Sequence, residues 1–294
     1  MRPFRALAFY LMFVFLGGAL IAPWLWHFCQ LFAHWFPHLA TAPFHRYLDR
    51  SFLILALAGI WPLMRALGAT GPAEVGLVAP YEQMGKLFGG LAMGFVSLSF
   101  VAAIEIFTGH RAINQALTIY QAVKIIFIAL LTAAFVGTVE EILFRGAVFG
   151  GLRRLLNWPV AMVVSSMIYA LTHFLQKTDI AGPVTWASGF VLLPRMFDLN
   201  AFFPLFLNLT FVGIILALAY QSTGNLYFSV GLHAGWIFVL KLYGGFTVAS
   251  PAGTTSFWGT QRMADGWLTF LALIMTLTVF QLLPLKKRAP YTIA

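Results

Sequence analysis

The sequence predicts an all-α fold, a polytopic transmembrane helical bundle of about eight spans, and three observations carry that expectation. Of its 294 residues, 61% are hydrophobic and only 9% are charged. Soluble domains carry about 25% charged residues, so the missing charge is missing from surfaces that face lipid. Mean hydropathy is +0.86, more than a water-exposed surface of this size tolerates without aggregating. The apolar residues also gather in runs near the ~20 residues of helix that cross a hydrocarbon core about 30 Å thick.

Eight such runs lie near 5–26, 52–68, 85–107, 121–140, 159–176, 203–221, 226–243 and 265–284. The first begins behind Arg2 and Arg5 and closes on Pro23-Trp-Leu-Trp26, which reads as an interfacial belt in place of a signal-peptide cleavage site. The second is the weakest, because Pro62 and Arg65 interrupt it; without it seven spans remain. Thr70 to Pro80, with its Gly-Pro and Ala-Pro steps, reads as a surface loop carrying a short amphipathic piece. Thr108-Gly-His-Arg-Ala112 separates the third and fourth runs, and Ser222-Thr-Gly-Asn225 is short enough to make the sixth and seventh an antiparallel hairpin. Lys177 to Asn200 is the longest hydrophilic-to-mixed segment, expected to lie on the membrane or to lid a cavity. The chain divides into N-terminal transmembrane helices (1–117), a core that carries the candidate chemistry described below (118–243), and a C-terminal loop with the last helix (244–294). There is no repeat of solenoid period and no low-complexity tract.

The net charge of +9 sits in short connections and at the ends, where anionic headgroups attract it, so the partner it implies is the bilayer and not nucleic acid. An even number of spans puts both termini on one side together with Arg2, Arg5, Arg153, Arg154, Lys286, Lys287 and Arg288. Cytoplasmic termini in a bacterial-type cell membrane are therefore expected. The opposite side holds Arg46, Arg50, Lys177, Arg195 and Arg262. The lone Cys29 excludes an intrachain disulfide and any cysteine cluster for a metal.

The candidate chemistry begins where the fourth run enters Glu140-Glu141-Ile-Leu-Phe-Arg145. A carboxylate at membrane depth costs a few kcal/mol or more, so two adjacent ones need partners or a polar cavity. Arg145, four residues after Glu141, lies at salt-bridge reach on the same helix face. Glu140 points about 100° away and has no local partner, which makes it the candidate general base. The bland alternative is that the helix leaves the membrane here and both acids are solvated. Late in the fifth run stands His173, with Tyr169 one turn before it, and mid-way through the seventh stands His233, flanked by Gly231 and Gly235. Histidine offers both a donor and an acceptor near neutral pH. Faces turned inward would make these groups a polar chamber suited to water activation or to metal binding. In the first case Glu140 and His173 take a proton from water while His233 donates to the oxyanion. In the second, Glu140, His173 and His233 form a zinc set, although the His-Glu-x-x-His helix motif is absent. His27, His34, His38, His45 and His110 fall in ends and loops and receive no role.

Glu140-Glu141-x-x-x-Arg145, Tyr169-x-x-x-His173 and His233 within Gly-Leu-His-Ala-Gly-Trp, in this order, resemble the CPBP family of CAAX-type intramembrane proteases, also called the ABI family, over residues 118 to 243. The resemblance implies a metal-independent endopeptidase in which Glu140 and His173 activate water. His233, with an asparagine one turn later, then stabilises the oxyanion, and Glu141, Arg145 and Tyr169 support the site. Its substrate would be a membrane-bound or lipidated peptide, such as the tail of a prenylated protein or a bacterial peptide precursor. Two positions depart from the pattern: Ile237 stands where the asparagine belongs, and Tyr169 where phenylalanine is usual. Asn208 and Asn225 are the candidate substitutes for the missing amide. Two other functions compete. A non-catalytic membrane binding protein of the same fold fits Ile237, and a proton-coupled transporter fits the intramembrane ionisable groups but not their spacing.

Overall fold

The computed structural model describes residues 2–68, 71–173, 180, 182–194, 203–250, 257–259 and 263–283. The chain divides into two compact units, one made of Met1–Thr70 with Ile168–Ala201 and the other of Gly71–Met167 with Phe202–Ala294. Helix dominates both. Exposed side chains on these helices are apolar: on one face of a single helix Phe127, Leu131 and Phe135 are each more than half exposed. A surface of that kind belongs against lipid, and the protein is an integral membrane protein.

In the first unit, α1 (Arg2–Leu31) and α3 (Phe44–Ala66) pack antiparallel, joined through the short α2 (Pro37–Ala40). The buried Tyr10 hydroxyl donates to the Ala56 carbonyl at 3.0 Å and ties the two. The weak second run is a 23-residue helix because it starts at Phe44, ahead of the apolar window. Pro62 and Arg65 consequently fall near its end, with the guanidinium 5.4 Å from the Trp61 ring.

In the second unit lie α4 (Met84–Phe107), α5 (Ile119–Glu141), α9 (Phe203–Thr223), α10 (Tyr227–Phe246) and α11 (Trp267–Leu282). Beyond Glu141 the helix of α5 continues through a π-helical stretch, Ile142–Phe149, into α6 (Gly150–Leu152). The helix α7 (Trp158–Thr172) and the five-residue α8 (Ser188–Leu192) complete the helical elements. A two-stranded ribbon pairs β1 (Arg111–Ile113) antiparallel with β2 (Thr247–Ala249), Ala112 opposite Val248.

The centre of this unit is α10. Its Leu232 and Trp236 are buried with Leu98 and Val101 of α4, Leu216 of α9 and Leu273 of α11. Glycines let α4 and α10 lie almost backbone to backbone: a Cβ at Gly90 or Gly94 would collide with the carbonyl oxygens of Phe228 and Leu232, and one at Gly231 or Gly235 with those of Leu87 and Leu91. Small residues four apart are the usual device for close approach where lipid removes the hydrophobic drive between helices. The register of these contacts makes α4 and α10 parallel, whereas Gly137 against Ala234 and Ile125 against Gly245 make α5 and α10 antiparallel. Trp236 donates from Nε1 to the Ser97 hydroxyl at 2.9 Å. At the far end Tyr243 hydrogen-bonds Glu105, an acid that is 2% exposed and that no motif singles out. Arg111 covers the Tyr243 ring and donates to Thr247, fixing the ribbon there.

Each of the eight apolar runs coincides with a helix. Among the described residues five helical segments, Phe4–Leu31, Phe44–Ala66, Tyr81–Phe107, Ile119–Leu152 and Phe203–Thr223, are long and apolar enough to cross a membrane, while α7 and α11 are shorter. The 20-residue α10 falls outside that set, since His233, Lys241 and its glycines make it less apolar. The Ser222–Asn225 hairpin forms as expected, with Gly224 in the left-handed region at φ 70°, a conformation glycine adopts without cost. From Gly71 to Pro80 the loop carries a short helical piece and is docked: Pro72–Val75 is a 3₁₀ turn with only Val75 buried, and Gly76 accepts a hydrogen bond from Leu226 at 3.1 Å. Lys177, Arg195, Arg262 and Lys286–Arg288, on which part of the charge asymmetry rests, lie outside the described residues, as does much of the Lys177–Asn200 segment.

Gly94→Ala is expected to cost about 1–3 kcal/mol, the usual penalty of overpacking a site whose neighbour is backbone. Gly244→Ala, where a Cβ meets nothing within 4 Å, is the control and should leave the melting temperature in detergent unchanged or raised.

Candidate active site

The helix that carries the glutamates starts with a capping box: the Thr118 hydroxyl accepts from the Gln121 amide at 3.2 Å, and the Gln121 side chain accepts from the Thr118 amide at 2.9 Å. It does not end at Glu140 and Glu141. The helical segment runs 34 residues, Ile119–Leu152, and the turns following the two acids are π-helical. Such turns occur frequently at functional sites, where the extra residue per turn re-aims side chains. The reading of two solvated acids at a helix exit is therefore excluded for Glu141, which is 0% exposed.

Glu141 is held from two directions by one oxygen. Its Oε1 accepts from Arg145 Nη1 at 2.7 Å, the pair predicted by the spacing, and from His233 Nδ1 at 2.9 Å. Arg145, itself 2% exposed, donates through Nη2 to the Gly213 carbonyl of α9 at 3.4 Å. A buried ion pair needs further hydrogen bonds to its members; α10 supplies one to Glu141 Oε1 and α9 one to Arg145, while Glu141 Oε2 is buried without a hydrogen-bond partner. Glu140 projects from the next helix position with its side chain 22% exposed, and its Oε2 lies 3.8 Å from His233 Nε2. The sequence gives Glu140 no partner on its own helix; α10 provides one. Glu140, Glu141, Arg145 and His233 are thus brought together in the second unit.

Tyr169 and His173 belong to the first unit, at the end of α7, one turn apart as their spacing predicts. His173 is exposed. Its Nδ1 donates to the Tyr169 carbonyl at 2.9 Å and the two rings stand 4.5 Å apart.

The two amides considered as replacements for an asparagine at 237 are engaged elsewhere. Asn208 donates to the carbonyls of Ala264 and Gly266 at 2.9 and 3.0 Å. Asn225 donates to Gln83 and accepts from the Tyr227 amide at the start of α10. Both serve turns. The Gly213 carbonyl, in contrast, belongs to the network and escapes sequence reading because a backbone acceptor has no residue-type signature. Among the described residues, no three His, Cys, Asp or Glu side chains are grouped to hold a metal ion.

A bundle of apolar helices enclosing a carboxylate, a guanidinium and an imidazole, with a second carboxylate at the partly exposed edge, is an integral membrane protein with a buried cluster of ionisable groups. Residues 122–239 match the family model of type II CAAX prenyl endopeptidase Rce1-like proteins. Over those residues, fewer than half of the chain, the protein is similar to the CAAX-type protease family. No curated protein and no solved structure matches the chain.

Removing one member of the buried pair is expected to be severe. Arg145→Met should cost about 3–5 kcal/mol, because it leaves Glu141 charged and uncompensated. Adding Glu141→Gln to Arg145→Met should recover a large part of that loss in unfolding experiments in detergent.

Proposed function

We propose that the protein is an intramembrane endopeptidase that hydrolyses a peptide bond of a membrane-bound or lipidated substrate. The observation that carries this reading is the placement of His233 between Glu140 and the buried Glu141–Arg145 pair. Glu140, the partly exposed acid, takes a proton from water. The resulting hydroxide bonds to the scissile carbonyl carbon, and His233 donates from Nε2 to the oxyanion. As the C–N bond breaks, the proton held by Glu140 passes to the leaving nitrogen. The share of water activation given to His173 rests on the family resemblance.

The matched family is that of type II CAAX prenyl endopeptidases, which supports a prenylated peptide as the first substrate to try. Cytoplasmic termini are supported by the basic residues on their side, two of which fall in the α6–α7 connection. There Arg153 stacks between Phe149 and Tyr220, and Arg154 pairs with Glu74 at 3.1 Å. The reaction as written uses no metal, with zinc on Glu140, His173 and His233 as the alternative. Ile237 favours one competing reading, a binding protein of the same fold without activity.

In purified, reconstituted protein given a farnesylated peptide, Glu140→Gln, His173→Ala and His233→Ala should each lower cleavage by roughly 10²–10⁴-fold. If all three leave the rate untouched, the protease reading is lost. Prolonged chelation should not reduce activity; a loss restored by zinc would overturn the metal-free reaction. Intact peptide copurifying with Glu140→Gln and absent from wild type would identify the natural substrate.

A further inference from the structure

We propose that Lys124 of α5 and Lys241 of α10 form a binding site for the phosphate of an anionic phospholipid, a site independent of the chemistry at Glu140 and His233. Each is the only lysine or arginine of its helix. Because α5 and α10 are antiparallel with Ile125 against Gly245, both lysines fall at the same end of the pair. At 1.5 Å per residue each lies about 8 Å inside that end, and the two are offset by about 8 Å along the common axis. Two flexible four-carbon stems span such an offset and converge on one group.

The lysines also share a flank. Ile126, about 100° around α5 from Ile125, joins Leu242 and Phe246 of α10 in lining an apolar groove on the side of α4. Lys124 is turned about 100° the other way. On α10, Gly244 stands about 200° from both Leu242 and Phe246, and Lys241, three residues before it, shares its face. A Cβ at Gly244 would meet nothing within 4 Å. Beside the lysines the surface of α10 is therefore bare backbone, open to a bulky headgroup.

Both side chains are exposed, and among the described residues neither ammonium has a hydrogen bond or an ion pair. The carboxylates of the same two helices, Glu140 and Glu141, lie about 24 Å farther along α5, and Glu105 is buried against Tyr243. A cation facing hydrocarbon is costly without an anion. On the face of Lys124, Tyr120 precedes it by one turn and Phe127, Ile128 and Leu131 follow, all of them exposed. A soluble anion gains nothing from that apolar wall. A phospholipid places its phosphate on the lysines, as anionic headgroups do on basic side chains, and lays an acyl chain along Phe127, Ile128 and Leu131. On the orientation proposed above the pair occupies the outer leaflet, where the rule that gathers basic residues in cytoplasmic connections does not account for it.

Native mass spectrometry of the full chain, released from detergent and titrated with phosphatidylglycerol or phosphatidylcholine, tests the site without reference to activity. Wild type should retain one phosphatidylglycerol in preference to phosphatidylcholine. Lys124→Gln and Lys241→Gln should each weaken that binding about fivefold, the scale of one basic residue at an anionic surface, and the double variant should abolish the preference. Lys124→Arg with Lys241→Arg should keep it. Equal retention of the two lipids by wild type overturns the proposal, and so does a preference that survives the double glutamine variant. If that variant does not fold, the single variants decide: binding unchanged in both refutes the site. An equal loss in Lys86→Gln, on α4, would assign the effect to net charge and count against it. Glycerol phosphate competing as well as the intact lipid would reveal a soluble-anion site and overturn the lipid assignment.

Discussion

Taking a carboxylate wholly out of water costs several kcal/mol, and the cost is recovered only through excellent geometry and satisfied hydrogen bonds. Glu141 imposes that constraint on the second unit. It sits in the longest helical segment, and its partners come from three places: Arg145 on its own helix, His233 on α10, and the Gly213 carbonyl on α9 through Arg145. Helix packing around it is thereby specified by chemistry as well as by apolar volume. Lipid gives helices little reason to associate in one register; a buried acid that needs a particular imidazole and a particular guanidinium gives them one.

The second requirement is that α10 be held still. Its glycines interlock with those of α4, and the Trp236–Ser97 and Tyr243–Glu105 hydrogen bonds continue the seam toward the C-terminal ends of both helices. His233 stands between Gly231 and Gly235, so the backbone that bears the imidazole is also the backbone pressed most closely against a neighbour. Close packing without intervening side chains leaves few alternative positions for the ring, and preorganisation of this kind is where enzymes gain most of their electrostatic advantage.

Much of this was readable in the residues, for physical reasons that can be named. Apolar runs report helices in lipid because nothing else satisfies the backbone there, and all eight runs are helical. The Glu141–Arg145 pair follows from a four-residue spacing. The π-helical stretch after Glu141 left no trace, since Ile142–Phe149 has the composition of any apolar helix. The start of α3 at Phe44 was missed because its first turns are polar and lie outside the apolar window. Glu105 was passed over as a single acid without a motif, although an acid in an apolar run is itself a signal. Of the site, the residue types were legible and the bonding was not: sequence assigned His233 to the oxyanion and Glu141 to Arg145, whereas the two share a hydrogen bond.

That shared bond explains why two adjacent, chemically identical residues take unequal parts. Glu141 is buried and held by both Arg145 and His233, which suits a group that fixes others. Glu140, one position earlier and partly exposed, lies 3.8 Å from the same imidazole at the rim of the network. The division depends on the helix more than on the residues, because a rotation of about 100° per residue places one carboxylate inside the network and the other at its rim. Exchanging their roles would require turning the helix, and the Arg145–Gly213 contact on the next turn prevents it.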